Sequence, residues 1–527
     1  MKEQSTKTVA KKKFFKMVFS RAGIFVILIL IQMLVFLGIP YYLKEYATFI
    51  YSVMSLMEII VLVYIINTEG NPAFKLSWIL CVMAVPVVGT IFYIYVHLQL
   101  ETRFVQNRLA ALRMETEPYM DQDQKITDAL WEGKSANAQL SYYLSHQLGF
   151  PTYRNTEAEY FPVGEAKFAS MIKELEKAEK FIFMEYFIVE EGIMWNTILE
   201  ILKRKAAEGV EVRFMYDGMC AFDLLPYSYP KKLQKYGINC KMSNKIRPFV
   251  STIQNNRDHR KITVIDGKVG YTGGYNLANE YFNYTHPYGE WKDTGIRLEG
   301  DAVASLTAAF LEMWEASGKT PADVDVLDIE AQKKYLVQHP YQAKQTGYIQ
   351  PYADCPLDGI QVGEDVYISI VNKADRYCWF MTPYLIITDE MTHALSLAAR
   401  RGVDVRIITP GIPDKKLIYS ITRSFYHNLV QDGVRIYEWT PGFCHAKMSV
   451  ADDCMATCGT INLDYRSLYH HFENGCFMAD CDAVLDIRRD MEQTFEQCRE
   501  VTEKYKSGRS ATLRLGQLFL RLFAELL

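Results

Sequence analysis

Three stretches near the start of the chain carry almost no charge. AGIFVILILIQMLVFLGIPYYL (residues 22–43), FIYSVMSLMEIIVLVYII (49–66) and LSWILCVMAVPVVGTIFYIYV (76–96) each approach the roughly 20 apolar residues that a bilayer-crossing helix needs. The pattern predicts three membrane helices. Glu58 falls near the middle of the second, where an ionisable group is expensive and faces another helix. Pro86 and Gly89 in the third are tolerable in a membrane helix, and Tyr93 and Tyr95 suit its interface. Ahead of these runs stand Lys2, Lys7, Lys11, Lys12, Lys13, Lys16 and Arg21 against the single acid Glu3, a basic tail that stays in the cytoplasm. Three crossings then put the remaining chain outside, and two put it inside. The first run lacks the short apolar core and small-x-small site of a cleaved signal, so it is read as retained.

After residue 100 the pattern turns polar, and residues 101–145 read as a charged helix and a connector. A strand–helix–Gly turn–strand pattern then occurs twice. KFIFMEYFIVEEGIMWNTILEILKRKAAEGVEVRFMYDG covers residues 180–218 and YCWFMTPYLIITDEMTHALSLAARRGVDVRIITPG covers 377–411. EGVEVRFMYDG and RGVDVRIITPG align directly, and Ile198, Leu199, Ile201 and Leu202 fall at helical spacing. A repeat of this length means two domain-sized α/β halves with parallel or mixed sheets. The predicted organisation is a membrane section (1–99), a connector (100–149), a first half (150–335), a second half (336–505) and a C-terminal amphipathic helix (506–527). The two halves are expected to pack around one site.

Charge narrows the function. The 58 basic and 62 acidic side chains nearly balance, without the basic excess of a nucleic-acid binder. Eleven scattered cysteines form no C-x-x-C pair, so neither a disulfide framework nor a zinc site is expected.

Each half then carries the same polar triplet on a strand-like run: DHRKITVIDGK, with His259, Lys261 and Asp266, and FCHAKMSVADD, with His445, Lys447 and Asp452. On a strand, His and Lys two apart share a face. Each Asp falls at odd spacing, on the other face or past the strand end, and organises backbone. A cation beside an imidazole suits a phosphate: Lys is a point charge for its oxygens, and His is a nucleophile or a proton carrier near neutral pH. Small turns with an Asn follow, GGYN (Gly273, Gly274, Asn276) and GTIN (Gly459, Thr460, Asn462). They allow close backbone approach to an oxyanion and offer it an amide donor. Glu473 in FENG and Asp293 in KDTG occupy matching places and are the expected acceptors for the second nitrogen of each His. His97, His146, His286, His339, His393, His427, His470 and His471 are read as structural or solvated.

The pattern H-x-K-x4-D-x6-G-G/T-x-N, present twice, resembles the phospholipase D superfamily, and the likeness spans roughly residues 150–505. NPAFKLSW, HRKITVIDGKVGYTGGYNLANEY, WKDTGIRLEG and GTINLDYRSLYHHFENG are similar to segments of bacterial cardiolipin synthases. The resemblance implies transfer of a phosphatidyl group from one phosphatidylglycerol to another through a phosphohistidine, without a metal or other cofactor. By the same likeness His259 is the nucleophile and His445 the general acid, with Lys261, Lys447, Asn276 and Asn462 on the phosphate oxygens. Asp266 and Asp452 belong to the catalytic motif. The implied partners are phosphatidylglycerol and other membrane lipids, with no nucleic acid, and the implied location is the cell membrane as a multi-pass protein. Hydrolysis with water as acceptor would use the same residues, and a lipid-binding protein without turnover is the alternative from another class.

Overall fold

The computed structural model describes residues 30–507 except 35, 36, 40, 43, 98, 99, 121, 134, 136, 246–255, 318–331, 337 and 338. The basic tail, the start of the first predicted span and the C-terminal helix lie outside the described residues. The chain forms two compact units, residues 1–100 and 101–527.

In the first unit one helix, α1 (Ala47–Asn67), lies in a 24-residue apolar stretch, Lys44–Asn67, long enough to cross a membrane. The run expected to be a third span is instead two helices, α2 (Pro72–Ala84) and α3 (Pro86–His97). Asn71 caps α2 by accepting from the Ala73 N–H at 2.9 Å, with Pro72 at the first helical position. The break comes at Pro86, which has no N–H to continue the ladder. The chain then doubles back. Trp78 of α2 meets Tyr93 of α3 edge to face at 5.1 Å. A Cβ on Gly89 would stand 2.8 Å from the Cys81 carbonyl oxygen, so only glycine permits the close turn. Each arm, at about 1.5 Å per residue, falls well short of the roughly 30 Å hydrocarbon layer. The third span of the sequence reading is therefore a helical hairpin.

The second unit contains the duplicated α/β body. Its first half runs β1 (Thr156–Phe161), α4 (Gly164–Glu176), β2 (Phe181–Tyr186), α5 (Ile193–Ala207), β3 (Glu211–Asp217), β4 (Ile238–Ser243), β5 (Arg257–Asp258), β6 (Ile262–Ile265), β7 (Val269–Gly273), β8 (Glu290–Lys292), β9 (Gly295–Gly300) and α6 (Val303–Ala316). The second half repeats the order with β10 (Tyr348–Asp354), α7 (Val362–Lys373), β11 (Tyr377–Met381), β12 (Leu385–Ile386), α8 (Asp389–Arg400), β13 (Asp404–Pro410), α9 (Lys416–Gln431), β14 (Arg435–Trp439), β15 (Gly442–Cys444), β16 (Met448–Ala451), β17 (Met455–Gly459), β18 (Leu463–Asp464), β19 (His471–Ala479), α10 (Asp482–Glu496) and β20 (Cys498–Glu500).

The sheet orders are β1-β9-β7-β6-β2-β3-β4 and β10-β19-β17-β16-β11-β13-β14-β20. Seven positions correspond one to one. In each sheet three strands run parallel (β2, β3, β4 and β11, β13, β14) and the hairpin after the His-x-Lys motif joins antiparallel. The runs FIFMEY, apolar but for Glu185, and YCWFM are buried along their whole length, as expected for strands covered on both faces. On one side of the first sheet α5 packs Trp195, Ile198 and Leu202. A second core joins the halves, with Phe183, Phe310, Trp439, Met448 and Met478 among its members.

Candidate active site

The His-x-Lys motifs sit where the backbone changes partners. β5 pairs in parallel with the start of β19 in the other half, matching Arg257 to His471 and Asp258 to Phe472. The His259 N–H then donates to the Phe472 carbonyl at 2.9 Å, and the chain moves on into β6 of its own sheet. β15 does the same against β8, matching Phe443 to Trp291, and the His445 N–H donates to the Lys292 carbonyl at 2.7 Å. The strand expected to run through each motif is thus two short strands with His and Lys at the break. Each lysine Nζ folds back onto the carbonyl of the histidine two residues before it.

Both expected carboxylates are in place, but each serves the histidine of the opposite half. His259 Nδ1 lies 2.9 Å from both oxygens of Glu473 on β19. His445 Nδ1 lies 2.7 Å from Oδ2 of Asp293, just after β8. An Nδ1–H held by a carboxylate leaves Nε2 as the free ring nitrogen. Glu473 also accepts from the Ser467 and Thr460 hydroxyls, whereas Asp293 takes the Thr294 N–H at 2.9 Å. The glycine of GGYN is explained here: a Cβ on Gly274 would come 1.9 Å from Asp293 Oδ1. At the matching position Thr460 instead gives Glu473 a hydroxyl. The second residue of each turn therefore serves the carboxylate, where the sequence pattern suggested close approach to an oxyanion.

Both histidines and both lysines are buried. Burial first, then the Lys261 and Lys447 ammonium groups and His445, holds His259 well below the usual histidine range. Burial and Lys447 outweigh Asp293 and push His445 down to about 4. Burial also brings Lys261 down to about 7, with Glu473 opposing, and Lys447 down to about 8, with Asp293 opposing. These mutual effects place two imidazoles and two amines around one space. Aromatic rings wall it: Phe187 stands 4.9 Å from His259, and Tyr281 and Trp291 stand 5.4 Å and 5.3 Å from His445. Arg260 points away from this space and pairs with Glu185 at 2.7 Å.

The structure does not bring every motif residue here. Asp266 and Asp452, counted with the catalytic set, occupy the hairpin turns after β6 and β16 with φ of +55° and +52°. The Asp266 carboxylate accepts from the N–H groups of Glu179, Lys180 and Phe181 at 2.9, 2.7 and 2.8 Å. Asp452 does the same for Asp375, Arg376 and Tyr377 at 2.6, 2.9 and 2.9 Å. They tie each hairpin to the start of β2 or β11, which is the backbone role their odd spacing implied. Asn276 accepts from the Ile188 N–H and donates to the Tyr281 hydroxyl at 2.8 Å, so it supports the ring beside His445. The Asn462 N–H is held by Ser467, and its amide oxygen has no partner.

The sequence reading missed Phe187, Tyr281, Trp291 and His471. The one available signal was the position of Trp291 and His471, each two residues before an expected carboxylate. Among the described residues one group has ligand chemistry for a metal: donor atoms of His259, His471 and Glu473 lie within 4.8 Å of one another. Two ammonium groups face the same space, so the set does not fit a divalent cation, whereas four fixed donors fit an anion.

Paired His-x-Lys motifs from two like halves, each imidazole held by a carboxylate of the other half, define a phospholipase D-like phosphoryl-transfer site. Residues 171–314 and 367–498 match the family described as cardiolipin synthase, PLD-like domain, and the chain belongs to that family. An uncharacterised protein of Streptococcus mutans is 47% identical over 464 residues, covering 88% of this chain and 99% of its own length. The cardiolipin synthase of Alkalihalophilus pseudofirmus is 31% identical over 488 residues, 90% of this chain and 93% of its own. The phosphatidylserine synthase structure of Haemophilus influenzae shares the fold at a TM-score of 0.55, with 16% identity over 70% of this chain and 93% of that one.

Proposed function

We propose that the protein is a cardiolipin synthase, transferring a phosphatidyl group from one phosphatidylglycerol to a second and releasing glycerol. His259 Nε2 attacks phosphorus, the P–O bond to glycerol breaks, and His445, which takes a proton on Nε2 once the bound phosphate anion offsets the lysine charges, gives that proton to the departing oxygen. The hydroxyl of the second phosphatidylglycerol then loses its proton to His445 as its oxygen attacks phosphorus. The P–N bond breaks and His259 is restored. Lys261 and Lys447 hold the non-bridging oxygens, and Asn462 with the Asn276–Tyr281 pair lines the same space. Most of the acceleration in such a reaction comes from positioning and charge.

The observation that carries the proposal is the crossed pair of imidazole–carboxylate contacts, which gives two free Nε2 atoms and two cations in one place. It also supports the division of roles. Glu473 also accepts from two hydroxyls, and burial with the Lys261 and Lys447 ammonium groups keeps His259 unprotonated, as befits the nucleophile. Asp293 carries fewer donors and favours the charged form of His445, as befits the acid. The purified protein given labelled phosphatidylglycerol should yield cardiolipin and free glycerol. Quenching in alkaline detergent, which preserves a P–N bond, should leave label on the peptide containing His259, still detectable in His445→Ala and absent in His259→Ala. Phosphatidic acid as the product would make it a hydrolase, and no turnover would leave a lipid-binding protein.

The membrane section follows from the same reading. The helical hairpin α2–α3 does not cross, so crossings at 22–43 and along α1 put residues 101–527 on the side of the basic tail, the cytoplasm, in a multi-pass membrane protein. A cysteine introduced at an exposed site of the catalytic unit should resist an impermeant thiol reagent until the cells are lysed. Labelling of intact cells would place the unit outside.

A further inference from the structure

His471 takes no part in the reaction as described, yet it stands in the same space. Its ring centre lies 5.2 Å from that of His259. It is 7% exposed, and neither ring nitrogen has a hydrogen-bond partner. Its Nδ1 lies 3.5 Å from Glu473 Oε1, at the limit of hydrogen-bond reach and without the directional geometry of a formed bond. Leaving a buried imidazole unpartnered is costly, so an unsatisfied ring beside a reacting residue points to a job done during turnover.

The duplicated fold supplies an internal comparison. His471 and Trp291 are equivalent: each lies two residues before the carboxylate that holds the other half's histidine, and each is paired to the short strand leading to that histidine. Trp291 stands against His445 at 5.3 Å, much as His471 stands against His259. One histidine thus has an indole for a neighbour and the other a second imidazole. No hydrogen bond joins Trp291 to Asp293, whereas His471 needs to move only a few tenths of an ångström to donate to Glu473.

Resting on the phosphohistidine reading above, we propose that His471 is a positioning residue. As His259 moves toward phosphorus, the neutral His471 donates its Nδ1–H to Glu473 and takes up the part of the carboxylate that His259 gives up. No proton changes owner. The extra donor spreads the carboxylate charge, so Glu473 draws a second proton onto the His259 ring less strongly and its Nε2 stays unprotonated. Burial pushes His471 itself down to about 3, so it is neutral and able to play this part across the working range. The other charges around the two rings are Lys261, Lys447, His445 and Lys415 on the His259 side and Arg466 on the His471 side. The test variants leave all of them unchanged.

The test is the pH profile of kcat/KM for cardiolipin formation by the full-length protein in phosphatidylglycerol vesicles. His471→Phe removes the donor and keeps a ring. His471→Leu removes it with less bulk, and His471→Asn restores an N–H near the same place. Without the donor Glu473 is the stronger base and His259 protonates more readily. The acid limb should therefore rise by about one pH unit in the Phe and Leu variants and return toward its original position in the Asn variant. Phosphohistidine trapped by an alkaline detergent quench from reactions run below that limb should fall about tenfold in the donorless variants. An acid limb unmoved in His471→Phe and His471→Leu overturns the proposal. So does an equal shift in all three variants, or failure of both donorless chains to fold in a melting experiment, since each would make the residue a packing element. Absence of phosphohistidine in the unaltered protein would instead overturn the reading on which this rests.

Discussion

A lysine with no carboxylate directly on it, buried beside an imidazole, is a poor choice for stability and a good one for phosphate. Lys261 shows the conflict: its folded proton affinity, at about 7, lies far below the free value of 10.5. The unfolded chain therefore binds the extra proton between these limits. The charge penalty is full below pH 7, fades as pH rises, and is gone near pH 10.5. Replacing Lys261 by Met should thus abolish turnover and raise stability by about 2 kcal/mol near pH 6, a gain that shrinks by pH 10. Denaturant melts at the two values test it, and an equal gain at both would remove the buried charge as its cause. In the unaltered enzyme kcat/KM should decline as pH rises through about 7 to 8, where Lys261 and then Lys447 lose their protons. At this scale the chemistry is legible in the sequence, because His-x-Lys spacing states its own purpose twice. The wall of Phe187, Tyr281, Trp291 and His471 is not legible, since aromatic residues are ordinary core material and only three-dimensional placement turns them toward the site.

Among elements, the repeat is readable because EGVEVRFMYDG and RGVDVRIITPG preserve the same alternation and turn. Two things are hidden. The run at 76–96 has the composition of a span, and only the combined effect of Pro86 and the tight approach at Gly89 makes it a hairpin. The strand through each motif reads as continuous because alternation is local, while the change of pairing partner at His259 and His445 depends on residues more than 150 positions away. The motif aspartates belong to this scale. Asp266→Ala or Asp452→Ala leaves three backbone N–H groups without their acceptor and puts alanine at positive φ. A loss of about 2–4 kcal/mol is expected for each, with kcat per folded molecule within a few-fold of normal. A large fall in kcat with unchanged stability would return these residues to the catalytic set.

For the whole molecule, each half holds the acceptor for the other's histidine, so the site belongs to one chain. His259→Ala and His445→Ala proteins, mixed in one vesicle population, should give no cardiolipin above the sum of the two alone. Recovery toward a quarter of normal rates would mean that chains exchange halves. The crossing of β5 with β19 and of β15 with β8 also bears on the life of the chain before it is complete. As synthesis proceeds, His259 and Lys261 emerge long before Glu473, so the leading half exists for a time with a reactive pair that nothing aims. A half-made or misassembled copy lying against the bilayer cannot cut the lipids around it. Activity begins only when the second half closes on the first, and the interlock works as a safety catch on an enzyme whose substrate is the cell's own boundary.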